Sequence, residues 1–175
     1  ILYGLDLAKE SIKEEDLAII VEGYMDVISA HQAGTKNVVA TCGTALTPQQ
    51  LKLISRYTKN IAFSFDQDSA GMEATFRAIE LTQMSDLNIK VILIPSGKDP
   101  DECIKNNLKD WEMAVKNPIG VMEFYFSYIF RQSDKNTMEG KKRILEFLLP
   151  LIKLYKSDVE KGEYLNRLAI ELKTD

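Results

Sequence analysis

Asp66 and Asp68 stand two residues apart directly after an apolar run, Asn60 to Phe65, that reads as a buried strand. A helical pattern starts at Ala70. Along an extended chain, residues i and i+2 point to the same side with Cα atoms about 6.5–7 Å apart. Both carboxylates would then face one spot at the carboxyl end of a strand, where open α/β sheets keep their ligands. Adjacent carboxylates repel, so the pair makes most chemical sense around a cation. Taken alone, an Asp-x-Asp reads more readily as an Asx-rich turn capping the next helix; it is the two further acid clusters that favour the cation.

Two further acid clusters lie at strand ends: Glu22 with Asp26 after Leu17–Val21, and Asp99 with Asp101 after Ile89–Ile94. Asp26 falls on the first turn of the following helix, four residues after Glu22, and can point back to the same mouth. Six carboxylates on one sheet edge would be unstable without counterions. An all-oxygen set with no His or Cys selects Mg²⁺ or Mn²⁺ over zinc. Two such ions about 3.5–4 Å apart form the usual clamp for transferring phosphate groups. The competing reading is that these acids cap helices, as first-turn acids do; it covers Asp68 and Asp101 individually.

The elements that must position these acids follow from periodicity. Residues 1–16, with Gly4 and the charged stretch Lys9–Asp16, read as a connecting segment with a short helix. Leu17–Val21 is a strand covered on both faces. Helix follows from Tyr24 to about Ala33, with Gly34 at C′. Val38–Ala40 is the next strand. Thr47-Pro48-Gln49-Gln50 opens a helix with Thr as N-cap, Pro at N1 and Gln at N3 in a capping box. A helix from Ala70 to about Met84 precedes the fourth strand, and Pro100 starts another helix. Strand–helix alternation through four strands implies a parallel sheet with helices on both faces.

After Pro118 no further strand is expected. Val121–Phe130, Lys141–Tyr155 and Val159–Leu172 are helical, with Phe124, Tyr125, Tyr128 and Phe130 as core. Lys141-Lys142-Arg143 reads as a solvated face. The expected organisation is thus a connecting segment at 1–16, an α/β domain at 17–117 and a helical subdomain at 118–175.

Composition bounds the partners. The chain has 175 residues, net charge −4 and a pI near 5.2, which argues against gripping a nucleic-acid backbone without metals or additional basic parts. Cys42 and Cys103 lack metal-ligand spacing; both read as packing residues in a reducing, cytosolic setting. His31, the only histidine, suits a helix C-terminus better than catalysis. No apolar run approaches a membrane span. The opening, without a start residue, reads as that of an excised piece.

Val21-Glu22-Gly23-Tyr24-Met25-Asp26, Gly43-Thr44-Ala45-Leu46-Thr47, Asp66-Gln67-Asp68-Ser69-Ala70-Gly71 and Asp99-Pro100-Asp101, together with the Leu2-Tyr3-Gly4-Leu5 opening, resemble the Toprim domain of DnaG-type bacterial DNA primases. More weakly, the helical tail resembles the subdomain that follows it. The resemblance implies a Rossmann-like Toprim sheet of about four strands followed by a small helical bundle. It implies that Glu22, Asp66 and Asp68 are the catalytic Toprim acids, and that Asp26, Asp99 and Asp101 complete a site for two or more Mg²⁺ or Mn²⁺ ions. Nucleoside triphosphates, a single-stranded DNA template and an RNA primer are the implied partners, in the bacterial cytoplasm at the replication fork. Zinc, and contact with the replicative helicase, would belong to domains absent from this chain. Primer synthesis would proceed by attack of a 3′-hydroxyl on the α-phosphate, little of it by this piece alone. Gln67, where a small residue is common, and Glu73, where a basic one is frequent, depart from the pattern and bear on substrate contacts. A DNA-cleaving Toprim enzyme (topoisomerase or nuclease), a non-catalytic cation-binding module and a receiver-like domain using Lys98 are the alternatives.

Overall fold

The computed structural model describes residues 2–43, 45–66, 68–82, 86–155 and 157–173. Gln67 and Met84, which entered the sequence reading, lie outside the described residues. The chain forms two compact units, residues 1–121 and 122–175.

The first unit is a five-stranded sheet in the order β2-β1-β3-β4-β5. Its strands are β1 (Ala18–Val21), β2 (Val38–Ala40), β3 (Asn60–Phe63), β4 (Asn88–Val91) and β5 (Ile119–Gly120). The first four are parallel, with Ile19 opposite Val38 and Ala62, and Phe63 opposite Val91. β1, β2 and most of β3 are apolar because helices cover both faces: Ala18 to Val21, Val38 to Ala40 and Ile61 to Phe63 are all buried, whereas β4 exposes Asn88 and Lys90. β5 is an addition to the four strands legible in the sequence, a two-residue strand antiparallel to β4 at Lys90 and Val91.

The connections set where the helices go. β1 leads through α2 (Tyr24–Gln32) to β2 on one side; β2 leads through α3 (Pro48–Ile54) to β3, and β3 through α4 (Ser69–Thr82) to β4, in the other direction. Right-handed crossovers then put α2 on one face and α3 and α4 on the other. α5 (Pro100–Asn106) packs on α2, and α6 (Leu108–Lys116) packs on α5. Ile19, Val21, Val27, Ala30, Cys103 and Trp111 share one core, with the Trp111 ring wholly buried and its Nε1 donating to Thr35 Oγ1 at 2.9 Å.

The opening segment is more ordered than a connector. α1 (Leu5–Glu14) buries Ala8 and Ile12, and Tyr3 exchanges two backbone hydrogen bonds with Ala40. Those bonds blunt the β2 edge. At α3 the anticipated capping box is present: Gln50 N donates to Thr47 Oγ1 and Thr47 N to Gln50 Oε1.

Two expectations need correction. Cys103 is buried, but Cys42 is exposed at a left-handed φ of 53°, in the turn after β2. It is an exposed loop residue. β3 also ends at Phe63, short of Phe65; Ser64 N still donates to Ile20 O, but the regular ladder is over.

The second unit holds α7 (Val121–Gln132), α8 (Met138–Lys153) and α9 (Asp158–Leu172). Phe124, Tyr125 and Phe126 are buried, while Tyr128 and Phe130 are half-buried at the margin. Arg167 lies 4.4 Å from the Phe126 ring centroid and forms a two-pronged ion pair with Glu123. Lys142 and Arg143 are exposed, as a solvated face requires. No helix among the described residues is long and apolar enough to cross a membrane.

Candidate metal centre

In a sheet of this order the connection leaving β1 and the connection leaving β3 diverge, so a crevice opens between their carboxyl ends. Glu22 follows β1 and Asp66 follows β3 there. Asp66 N donates to Glu22 Oε1 at 3.2 Å and ties the two strand ends together. A cavity of about 430 Å³ is lined by Glu22, Asp26, Asp66, Asp99 and Asp101 along with Tyr24 and Gly43. Five of the six expected acids therefore face one space.

Asp68 is placed differently. Because β3 has already ended, Asp66 and Asp68 are not alternate residues of one strand. Asp68 directly precedes α4, and its Oδ1 accepts from Gly71 N at 2.8 Å. It caps the helix while remaining close enough to raise the proton affinity of Asp66.

The remaining acids divide by their hydrogen bonds. Asp26 is 5% exposed, and its two oxygens accept from Gly23 N and Asp101 N, both at 3.0 Å. One carboxylate thus closes the first turn of α2 and holds the start of α5 against it. Asp101 accepts from Ser29 Oγ on one oxygen and from Lys105 Nζ, 2.6 Å away, on the other. Asp99 caps α5 at Glu102 N. Among the described residues the Asp66 carboxylate accepts no hydrogen bond, and that of Glu22 is engaged only by the Asp66 amide.

Electrostatics follow this arrangement. Burial, then the negative charges of Glu22, Asp26, Asp99 and Asp68, raise the Asp66 carboxyl to about 7. Asp26 is also raised, chiefly by burial and against the pull of its two backbone donors. Asp101 is lowered by its bonds to Lys105 and Ser29, which outweigh its own desolvation. Among the described residues no three His, Cys, Asp or Glu side chains are arranged to share one ion as they stand. His31 is outside the site, its Nε2 2.9 Å from Val38 O at the end of α2.

Two residues that shape the site, Lys105 and Ser29, were missed in the sequence, and Gly71 stood out only as part of the Asp66–Gly71 motif. Lys105 follows Asp101 at i+4, a spacing that marks an ion pair on a helix. Gly71 interrupts a helical pattern, which signals a close backbone approach. Ser29 carries no local signal, being 72 residues from its partner.

The chain is similar to known proteins over nearly its whole length. The Toprim-like family model matches residues 19–104, and the model described as the DnaB-helicase binding domain of primase matches residues 122–175. The DNA primase of Clostridium acetobutylicum is 39% identical over 170 residues, covering 96% of this chain and 28% of the relative. That of Halalkalibacterium halodurans is 40% identical over 177 residues, covering 98% and 29%. Across these spans the chain is similar to DnaG-type DNA primases. A structure of the DnaG primase catalytic domain bound to single-stranded DNA superposes with a TM-score of 0.74 at 28% identity, covering 99% of this chain and 56% of that one. The chain spans less than a third of the length of the two curated primases. The helicase contact is expected from the sequence in a domain absent from this chain, whereas the family model of that description matches residues 122–175 within it. Family members generally use divalent metal ions.

Proposed function

We propose that this chain is the catalytic-core portion of a DNA primase, a nucleotidyltransferase that builds short RNA primers on single-stranded DNA at the bacterial replication fork. The observation that carries the reading is the all-oxygen cavity between β1 and β3, with the Asp66 proton affinity raised by its acidic neighbours. An excess of negative charge held by carboxylates alone fits Mg²⁺ or Mn²⁺. Glu22 and Asp66 would be the principal holders and catalytic acids, with Asp99 and the Asp68 oxygen not engaged by Gly71 completing the set. Asp26 and Asp101 stand beside them mainly as braces, their oxygens being occupied by Gly23, Ser29, Lys105 and the α5 amide. Two or more ions there would supply charge neutralisation at the α-phosphate and the leaving pyrophosphate.

The protein's own part is positioning. The Asp66–Glu22 hydrogen bond fixes the relative height of the two strand ends. Glu22 presents a carboxylate that can also take the proton of the attacking 3′-hydroxyl. Residues 122–175 contribute to a replicative-helicase contact, a reading that rests on the family-model match. Because the chain is acidic, it makes little primer without basic elements outside residues 1–175. None of the likenesses favours a DNA-cleaving or non-catalytic role.

The deciding experiment is a Mn²⁺ titration by calorimetry of the wild-type chain and the Asp66→Asn/Asp68→Asn variant. Saturable binding lost in the variant is expected. Equal weak heats for both would leave the carboxylates as helix caps and sink the metal-centre reading.

A further inference from the structure

Glu22 and Gly43 border two cavities. One is the acid-lined space; the other, of about 290 Å³, lies between the turn after β2 and α4. The walls of the second are mainly apolar: Ala45, Leu46, Phe65 and three alanines of α4, Ala70, Ala74 and Ala78. Its one cation is Arg77, exposed on α4 and without a hydrogen-bond or ion-pair partner among the described residues. This separates it from Lys105 and Arg167, which are both committed to carboxylates. The turn that forms the outer wall is anchored: Thr41 N donates to Val21 O and Cys42 N to Glu22 O.

Nucleotidyl transfer brings together two kinds of phosphate. The triphosphate arrives with divalent cations and suits a carboxylate-lined space. The growing strand carries singly charged phosphodiesters that need no metal, and a carboxylate-only cavity would repel them. An unpaired guanidinium above an apolar floor suits the second kind, since Arg binds phosphate oxygens through a planar fork and the floor can take a sugar or base edge.

Building on the nucleotidyl-transfer reading, we propose that the Arg77 cavity seats a phosphodiester of the growing strand next to its reacting 3′ end. Sharing Glu22 places it one step from the reacting centre, where the attacking hydroxyl must be held close to the α-phosphate. The template, which meets the incoming nucleotide through base pairing, has no need of a phosphate contact there.

The test uses the 175-residue chain and a 5′-fluorescein hexaribonucleotide, followed by anisotropy at low salt without divalent metal. Arg77→Gln should weaken binding about tenfold and flatten the log K against log salt slope by about 0.7, the share of one single-strand phosphate. Arg77→Lys should retain most of the affinity. Ala74→Phe, which fills the cavity without altering charge, should weaken binding as Arg77→Gln does. Lys109→Gln, the same charge change on α6, should not. Equal affinities for Arg77→Gln and Lys109→Gln, no metal-independent binding by wild type, or tighter binding of the matching deoxyribonucleotide would overturn the proposal. Saturable Mn²⁺ binding alongside any of these results would leave the metal centre standing. Arg77-dependent strand binding without a Mn²⁺ site would do the reverse.

Discussion

Gly71 sits against the backbone of Asp66. A Cβ at position 71 would lie 2.7 Å from the carbonyl carbon of Asp66 and 2.8 Å from its amide nitrogen, and closer still to the carbonyl oxygen. The first turn of α4 is thereby allowed to pack on the residue whose amide is bonded to the Glu22 carboxylate. Gly71→Ala must push these apart, at a cost of about 1–3 kcal/mol for a forced methyl. We expect a lower melting temperature, read through the fluorescence of the single tryptophan, Trp111, and at least tenfold weaker Mn²⁺ binding. An alanine variant with wild-type metal affinity would show that the contact does not set the site.

The Asp66 carboxyl gives the metal-free protein a defined pH response. Its pKa rises on folding from 3.8 to about 7, so the folded state holds this proton more tightly than the unfolded one. The stability this supplies is fully present below about pH 3.8 and is lost as pH climbs through about 7. Over that window the melting temperature of wild type should decline relative to Asp66→Asn, which lacks the proton. Mn²⁺ competes with the same proton, so its affinity should increase from pH 5 to 7.5. Parallel melting profiles for the two proteins would contradict the assignment.

Asp26 acts as a brace. Its two oxygens satisfy the backbone N–H groups of Gly23 and Asp101, and an Asn side chain can accept only one of them. Asp26→Asn therefore strands a part-buried donor, at about 1–3 kcal/mol. The variant should lose more thermal stability than Asp66→Asn yet less Mn²⁺ affinity. Chemical denaturation and calorimetry on the two variants would separate these effects.

In the helical unit, the Glu123–Arg167 pair is bidentate but half exposed, with side-chain exposures of 45% and 38%. Screening keeps such a pair to under about 1 kcal/mol. The bond to Arg167 lowers the Glu123 pKa below 4.5, so its contribution is present above pH 4.5 and fades as pH falls through the depressed value. Glu123→Gln should be mild and salt-sensitive. Phe126→Ala, at a ring only 2% exposed, should cost about 3–5 kcal/mol. Amide hydrogen exchange across residues 122–173 would rank the two.

Much of the site was legible because its signals are local. An apolar run followed by an acid reveals a strand end, and Thr47-Pro48-Gln49-Gln50 reveals a helix start, because the bonds involved close within a few residues. Those signals placed Glu22, Asp66 and Asp99 at the carboxyl edge of a parallel sheet. What the tertiary structure decided is how the acids divide their labour. Asp68 became a cap because β3 stops at Phe63, and β3 stops there where its pairing with β1 and β4 ends. Asp101 became a brace because α5 packs on α2 and brings Ser29 to it across 72 residues. β5 exists only as a partner for β4, its two residues being too few to show a period. Periodicity reports which face a residue occupies; the hydrogen bonds that assign its role form between segments whose separation in sequence carries no pattern.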